Sequence, residues 1–299
     1  TRSGRVTGVQ TCALPIYLTQ LKSIDKGILF MLLSALISAL NGATAKLLSD
    51  NIDAFEMVFY RNLIGIIIIL YALKHTPPIL KGGKIHLLFL RGLFGTIAML
   101  LFFYTITAIP LGEAITLNKT SPFFVTILAF YLVNEKININ TIFALIIGFI
   151  GIVLIVKPFG MVFSYDHILG ILGGFFAAAA YATIKKIKDI YDTRVIMLSF
   201  MGIGTLIPFF FIELKFYTDY TIWTLIIFMA VISTLSQWLL TKAYSLSSAS
   251  IIGVVSYTNI PFAIGFGWML GDLFPDFWTF TGIGLIILGG ILVGRNKRS

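Results

Sequence analysis

From Gly27 onward the chain repeats one pattern, a run of about twenty predominantly apolar residues followed by a short polar break. Ten such runs fall near 27–48, 54–73, 85–108, 111–132, 139–156, 168–187, 194–212, 222–243, 247–270 and 277–294. Twenty helical residues rise about 30 Å, the thickness of a hydrocarbon core, so each run predicts one membrane span. Pro77-Pro78 with Gly82-Gly83, Pro110, Lys157-Pro158 and the segment from Asp272 to Asp276 supply the punctuation between runs. The pattern predicts an all-α integral membrane protein of ten transmembrane helices.

The polar residues of the breaks separate by charge. Numbering the loops alternately puts Lys22, Lys26, Lys74, Lys81, Lys84, Lys136, Lys185, Lys186, Lys188, Arg194, Lys242, Arg295, Lys297 and Arg298 on one side, and Lys46, Lys157 and Lys215 on the other. By the positive-inside rule both termini are expected in the cytoplasm, with the chain a multi-pass protein of the cell (inner) membrane. Asp50, Asp53, Glu56, Asp166, Glu213, Asp219 and Asp276 fall on the opposite face.

Composition changes the picture only by excluding alternatives. Hydrophobic residues make up 58% of the chain and charged residues 12%, against roughly 45–50% and 25% in a soluble domain. The formal charge of +9 therefore reports topology, and nucleic acid is not an expected partner. The opening stretch, TRSGRVTGVQTCALPIY, stands outside the pattern. It lacks the apolar run of about 7–15 residues that a secretory signal needs. Val6 to Ile16 instead resembles, codon for codon, a translated sequencing adapter, so residues 1–16 are set aside as non-native and expected to be unstructured. Cys12, the one cysteine of the chain, goes with them, which leaves no thiol chemistry to argue.

Two stretches repeat each other. YTITAIPLGEAITLNKTSPFFVTILAFYLVNE from Tyr104 and KAYSLSSASIIGVVSYTNIPFAIGFGWMLGD from Lys242 each contain a Tyr-bearing helix end and a short link. Each continues into a long helix with one proline, Pro122 or Pro261, and an acidic terminus, Glu135 or Asp272. Each then enters a glycine-spaced helix, GFIGIVLIV from Gly148 or GIGLIILGGILV from Gly282. A duplicated unit of five helices must enter the membrane from opposite sides in its two copies, because five is odd. The expected architecture is an inverted repeat, 17–157 followed by 158–299.

At these residues the chain resembles the drug/metabolite transporter superfamily, and within it the EamA family. The resemblance is carried by FYRNLIG from Phe59, the segment from Arg91 to Lys136, GFIGIVLIVKP from Gly148 and the segment from Ala243 to Asp272. It implies ten-helix carriers that export or exchange small metabolites, amino acids, nucleosides or drugs through a central cavity without ATP. Asp272 departs from the family pattern, which usually carries Glu there.

Few polar residues lie well inside the spans, and a charge at bilayer depth costs roughly 2.5–3.5 kcal/mol on insertion scales. Lys119, eight residues into the fourth run, is expected about 12 Å deep. Asn118, Thr120 and Ser121 flank it, and Pro122 withdraws a helix hydrogen bond beside it. Lys119 is read either as a substrate contact or as glue paired with Glu113 or with freed carbonyls. Asn259, Tyr257 and Trp238 in the second repeat, Tyr181 in the sixth run and Asn41 in the first complete the expected substrate set, with Gln237, Thr258 and Thr44 beside them. Pro122 and Pro261 are expected helix kinks. Arg61 and Arg91 are read as structural charges whose side chains reach the interface, with Asp53 and Glu56 the partners of Arg61. Glu113 is the candidate for proton coupling. Glycines 92, 95, 148, 151, 282, 289 and 290 are expected at close helix approaches.

Three function classes compete. A secondary-active transporter of a small carboxylate- or phosphate-bearing metabolite fits a deep positive charge. A proton-coupled exporter of drugs or organic cations would want an intramembrane carboxylate. A membrane-embedded enzyme would need a nucleophile with its base, a metal cluster or a carboxylate pair at depth. His75, His86 and His167 sit at loops or span ends without metal-ligand spacing, so neither catalytic residues nor a metal are expected. No cofactor is expected either. The expected partners are a small-molecule substrate and the lipid bilayer, with the oligomeric state left open, a monomer included.

Overall fold

The structure, a computed structural model, describes residues 26–48, 51–78, 82–108, 117–156, 164–212, 217–271 and 276–296. The adapter-like residues 1–16, Glu113 and Asp272 lie outside the described residues. The helices are α1 Lys26–Leu48, α2 Ala54–His75, α3 Ile85–Ala108, α4 Ser121–Val133, α5 Ile139–Val156, α6 Tyr165–Ile187, α7 Thr193–Phe209, α8 Tyr220–Leu246, α9 Ala249–Ser256, α10 Asn259–Met269 and α11 Phe277–Asn296. With α9 and α10 forming one span, these are ten membrane spans, and no strand occurs among the described residues.

Where α2, α7, α8 and α11 start follows from a flanking aspartate. The Asp53 carboxylate accepts hydrogen bonds from the Phe55 and Glu56 amides at 2.7 and 3.0 Å, and Asp219 accepts from Thr221 N at 2.8 Å. Asp276 accepts from Thr279 N at 3.0 Å, ahead of α11. These side chains satisfy amide donors that the first helical turn leaves unpaired, and their charge suits the positive end of the helix dipole. The acidic bias of one face thus has a local cause, since α2, α8 and α11 all begin there. At the other face Asp192 caps α7 through Arg194 N at 2.8 Å. The Arg194 side chain also donates to that carboxylate, which holds Asp192 below the ordinary carboxylate range.

Helices pack in a scheme that survives exchange of the two halves. The α3–α6 contact matches α8–α1, α3–α7 matches α8–α2, and α4–α6 matches α10–α1. The α2–α7, α4–α9 and α5–α11 contacts each map onto themselves. This is the pairing of an inverted repeat of five plus five spans, in which α5 and α11 pack mainly on each other and on α9. Their crossing is made by backbone: a Cβ on Gly151 would stand 2.6 Å from the Gly282 carbonyl oxygen, and one on Gly282 would stand 2.4 Å from that of Gly151. Gly290 differs from the expectation, since it faces open space.

The fourth and ninth runs are not the continuous helices that their hydropathy predicts. Around residues 117–120 and at Tyr257–Thr258 the ladder tightens to i→i+3 bonds, Thr120 N to Leu117 O at 3.1 Å and Thr258 N to Val255 O at 3.1 Å. Pro122 and Pro261 stand just after these turns rather than in the middle of a kinked helix. Each proline withholds one amide donor, and the Thr120 and Thr258 hydroxyls back-bond to Leu117 O and Val255 O at 2.6 and 2.7 Å. The depth of Lys119, reckoned on an unbroken helix from residue 111, is corrected accordingly: Lys119 sits in the turn itself.

Candidate functional site

Six helices and one turn enclose a cavity of about 250 Å³ at the centre of the bundle. Ser38 and Asn41 come from α1, Arg61 from α2, Arg91, Gly95 and Phe102 from α3, and Asn118 from the turn before α4. Tyr181 comes from α6, Phe200 from α7, and Ser233, Ser236 and Gln237 from α8. Among the described residues no carboxylate lines it.

The two arginines define its electrostatics. Arg91 is 1% exposed, so it does not reach the membrane interface as its sequence position suggested. Its guanidinium carbon lies 4.9 Å from the centroid of the Phe200 ring, and its Nε is buried with no hydrogen-bond partner among the described residues. Gly95, one turn along α3, makes room for it: a Cβ there would stand 2.4 Å from Arg91 Nη1. Arg61 faces the same cavity without the partners predicted for it. The Asp53 carboxylate is occupied as a helix cap, and Glu56 Oε2 accepts the Tyr217 hydroxyl at 2.8 Å. Burial, then that hydrogen bond to Glu56, push the Tyr217 phenol well above its ordinary value. Among the described residues no carboxylate stands within ion-pair distance of Arg61 or Arg91. A cation–π contact of this kind contributes roughly 0.5–2 kcal/mol. That falls short of the cost of an unneutralised charge at depth.

The remaining predicted residues divide. Asn41, Asn118 and Tyr181 line the cavity, as does Gln237. The Tyr181 ring stacks flat on Tyr244, 4.6 Å between centroids, and the Asn41 Oδ1 is buried without a protein donor among the described residues. Lys119 is partly buried and is not among the lining residues, so the positive charge of the cavity comes from α2 and α3 rather than from the fourth span. Thr120 spends its hydroxyl on Leu117 O and packs against Gly174. Tyr257 is 0% exposed and packs away from the cavity, its ring filling the space over Gly148 of α5. Asn259 donates to the Ala35 carbonyl of α1 at 2.9 Å, which ties the ninth span to the first. Trp238 meets Phe30 edge-on at 5.8 Å and packs with the Ile69, Met197 and Phe200 cluster.

The arginine site carries two sequence signals. Neither Arg61 nor Arg91 has an acidic residue three or four positions away on its own helix, so neither can be neutralised locally. Arg91 also has glycine at the i+4 position, an open groove for its own side chain.

At one end of the bundle a second polar cluster joins the halves. The Glu135 carboxylate accepts the Ala249 amide at 3.1 and 2.9 Å, and Lys185 Nζ stands 3.4 Å from Glu135 Oε1. Lys185 Nζ also donates to the Ser247 carbonyl, and Lys188 Nζ donates to Ser245 O at 3.0 Å.

The chain is similar to known proteins over most of its length. The chain is 31% identical over 278 residues to the pseudopaline exporter CntI of Pseudomonas aeruginosa, covering 92% of this chain and 98% of that one. It is 26% identical over 274 residues to a riboflavin transporter of Vibrio cholerae, covering 88% and 91%. One solved crystal structure superposes with a TM-score of 0.74 at 16% identity, over 93% of this chain and all of that one, which shows the shared fold. The model of the EamA-like transporter family matches residues 25–157 and again residues 165–295, so two copies of one unit account for nearly the whole sequence. A chain of ten membrane spans folded around a central cavity, and matched twice by that model, belongs to the EamA-like transporter family of small-molecule carriers.

Proposed function

We propose that this protein is a secondary-active transporter that carries a small organic anion, a metabolite bearing carboxylate or phosphate, through the central cavity by alternating access. The observation that carries this reading is the pair of arginines facing a cavity in which, among the described residues, no carboxylate neutralises them. Arg91 is almost wholly withdrawn from solvent, and an anionic solute in the cavity can offer the two guanidiniums charge-assisted hydrogen bonds that the described residues do not supply. An organic cation would meet two like charges, so the rival reading of a drug or cation exporter is disfavoured. Substrates of the relatives do not decide the matter, since one relative exports pseudopaline and another transports riboflavin. The direction we propose is outward, following the exporter, which at 31% is the more identical of these two relatives.

Counterflow in liposomes reconstituted with the full chain tests the reading. Preloaded anionic metabolites are expected to drive uptake of labelled anions, and quaternary ammonium solutes are not. Counterflow restricted to cations would overturn it. We further propose that both termini are cytoplasmic. After Asp276→Cys, a membrane-impermeant maleimide should label intact cells; after Lys188→Cys it should label only opened ones. The reverse pattern would invert the topology.

A further inference from the structure

The two arginines share a cavity but not a level in the membrane. Arg61 lies seven residues from the start of α2 at Ala54, and Arg91 six residues from the start of α3 at Ile85. Consecutive spans joined by a short link run antiparallel, so these depths, about 10 Å and 9 Å, are measured from opposite membrane faces. Both helices are about 33–36 Å long, which leaves the two backbone positions about 14–17 Å apart along the helix axes. Laterally they are also separated, because α7 packs against both α2 and α3 while those two barely touch. The Phe200 ring of α7, on which Arg91 stacks, lines the cavity with them. Anchors carried at different depths by two different helices suit two anionic groups joined by a spacer better than a single carboxylate.

From this placement we infer that the substrate is an elongated dianion, a short chain with a carboxylate at each end, one end held by Arg61 and the other by Arg91. The inference rests on the anion reading above and adds the number and spacing of the charges. A cavity of about 250 Å³ holds about eight waters at the roughly 30 Å³ each occupies in the liquid, room for a chain of a few carbons and its two carboxylates. It also gives the site a direction. Arg91 stands nearer the face where α3 begins and Arg61 nearer the face where α2 begins, so a dianion entering from either side meets one anchor first and completes its binding on reaching the second. A monoanion completes only one of the two contacts and leaves the other guanidinium unneutralised.

The test compares chain lengths and charge number in the reconstituted full chain. Liposomes preloaded with glutarate or adipate are expected to drive counterflow of labelled glutarate at least tenfold faster than liposomes preloaded with pentanoate, with malonate, too short to bridge, close to pentanoate. Arg61→Gln and Arg91→Gln should each bring glutarate down to the pentanoate level, with melting temperatures in detergent no lower than that of the parent. Pentanoate driving exchange as fast as glutarate would overturn the two-anchor inference and leave the anion reading standing. So would a preference that responds to only one of the two arginines. Dicarboxylates that drive nothing, in vesicles where inorganic phosphate or a phosphate ester does, would likewise refute the dicarboxylate and spare the anion. Exchange confined to quaternary ammonium ions would remove both.

Discussion

Arg91→Gln is expected to abolish substrate counterflow while leaving the protein as stable in detergent as before, or more so. The two effects have one physical source. The Arg91 side chain is buried, stacks on Phe200 and has no carboxylate partner among the described residues, so in the empty cavity its charge is a cost to the fold. Glutamine is shorter and neutral, and removing the charge relieves that cost. A bound anion reverses the balance, because truncating one partner of a desolvated, hydrogen-bonded charge pair costs about 2–5 kcal/mol. The rate of transport should therefore fall at least about thirtyfold at limiting substrate, the smaller of those figures expressed as a ratio. Arg91→Lys keeps the charge but loses the planar stacking on Phe200 and the forked donor set, so it is expected to recover only part of the activity. Were Arg91 structural, Arg91→Gln would lower the melting temperature and leave the transport of correctly folded protein intact. Fluorescence-detected melting alongside counterflow separates these outcomes.

The difference between Arg91 and Lys119 shows where sequence reading reaches its limit. Hydropathy located all ten spans, because each must hold about twenty apolar residues whatever it packs against. The two-copy organisation was legible for a similar reason, since Pro122 and Pro261 and their flanking residues are tied to a local backbone event. What hydropathy does not encode is the orientation of a residue about its helix axis. Lys119 looked central because it was counted along an ideal helix, but the chain tightens at residues 117–120 and the depth and direction of each side chain there change. Tyr257 and Asn259 were displaced from the expected site by packing partners more than a hundred residues away in sequence, Gly148 and Ala35. Arg91, by contrast, sits in an unbroken helix, and glycine four residues on marks the space that its guanidinium fills. Reading that glycine as a helix-packing residue hid the clue: Gly95 meets Phe200 of α7 and also the arginine on its own helix.

The second large effect is expected at Glu135, far from the cavity lining. Its carboxylate takes the amide of Ala249 at the start of α9 and stands beside the Lys185 ammonium, so a single acid closes the end of α4, the end of α6 and the α8–α9 link together. Both side chains are largely withdrawn from solvent, at 16% and 8% exposure, which makes this a pair that solvent screens weakly. Two interactions fall on the same oxygens: attraction to the Lys185 charge and capping of the helix N-terminus, where the macrodipole is positive. Removing the acid with Glu135→Ala takes away the carboxylate between the Lys185 ammonium and that positive helix end, leaving the ammonium its bond to the Ser247 carbonyl. Breaking a buried pair in this way costs about 3–5 kcal/mol. Lys185→Met leaves the carboxylate still held by the Ala249 amide and the helix dipole, so its cost should be smaller. The double replacement Glu135→Gln with Lys185→Met, which removes both charges, should be milder than Glu135→Ala alone. In transport the ordering should repeat, because the cluster lies at the end where the basic loops collect, an end that the proposed alternating access would have to open. With this tie loosened, a cysteine introduced at the cavity by Ser38→Cys should become more reactive to a membrane-impermeant maleimide added from that side. Unchanged labelling in Glu135→Ala, with melting temperature unchanged as well, would show that the cluster holds nothing shut.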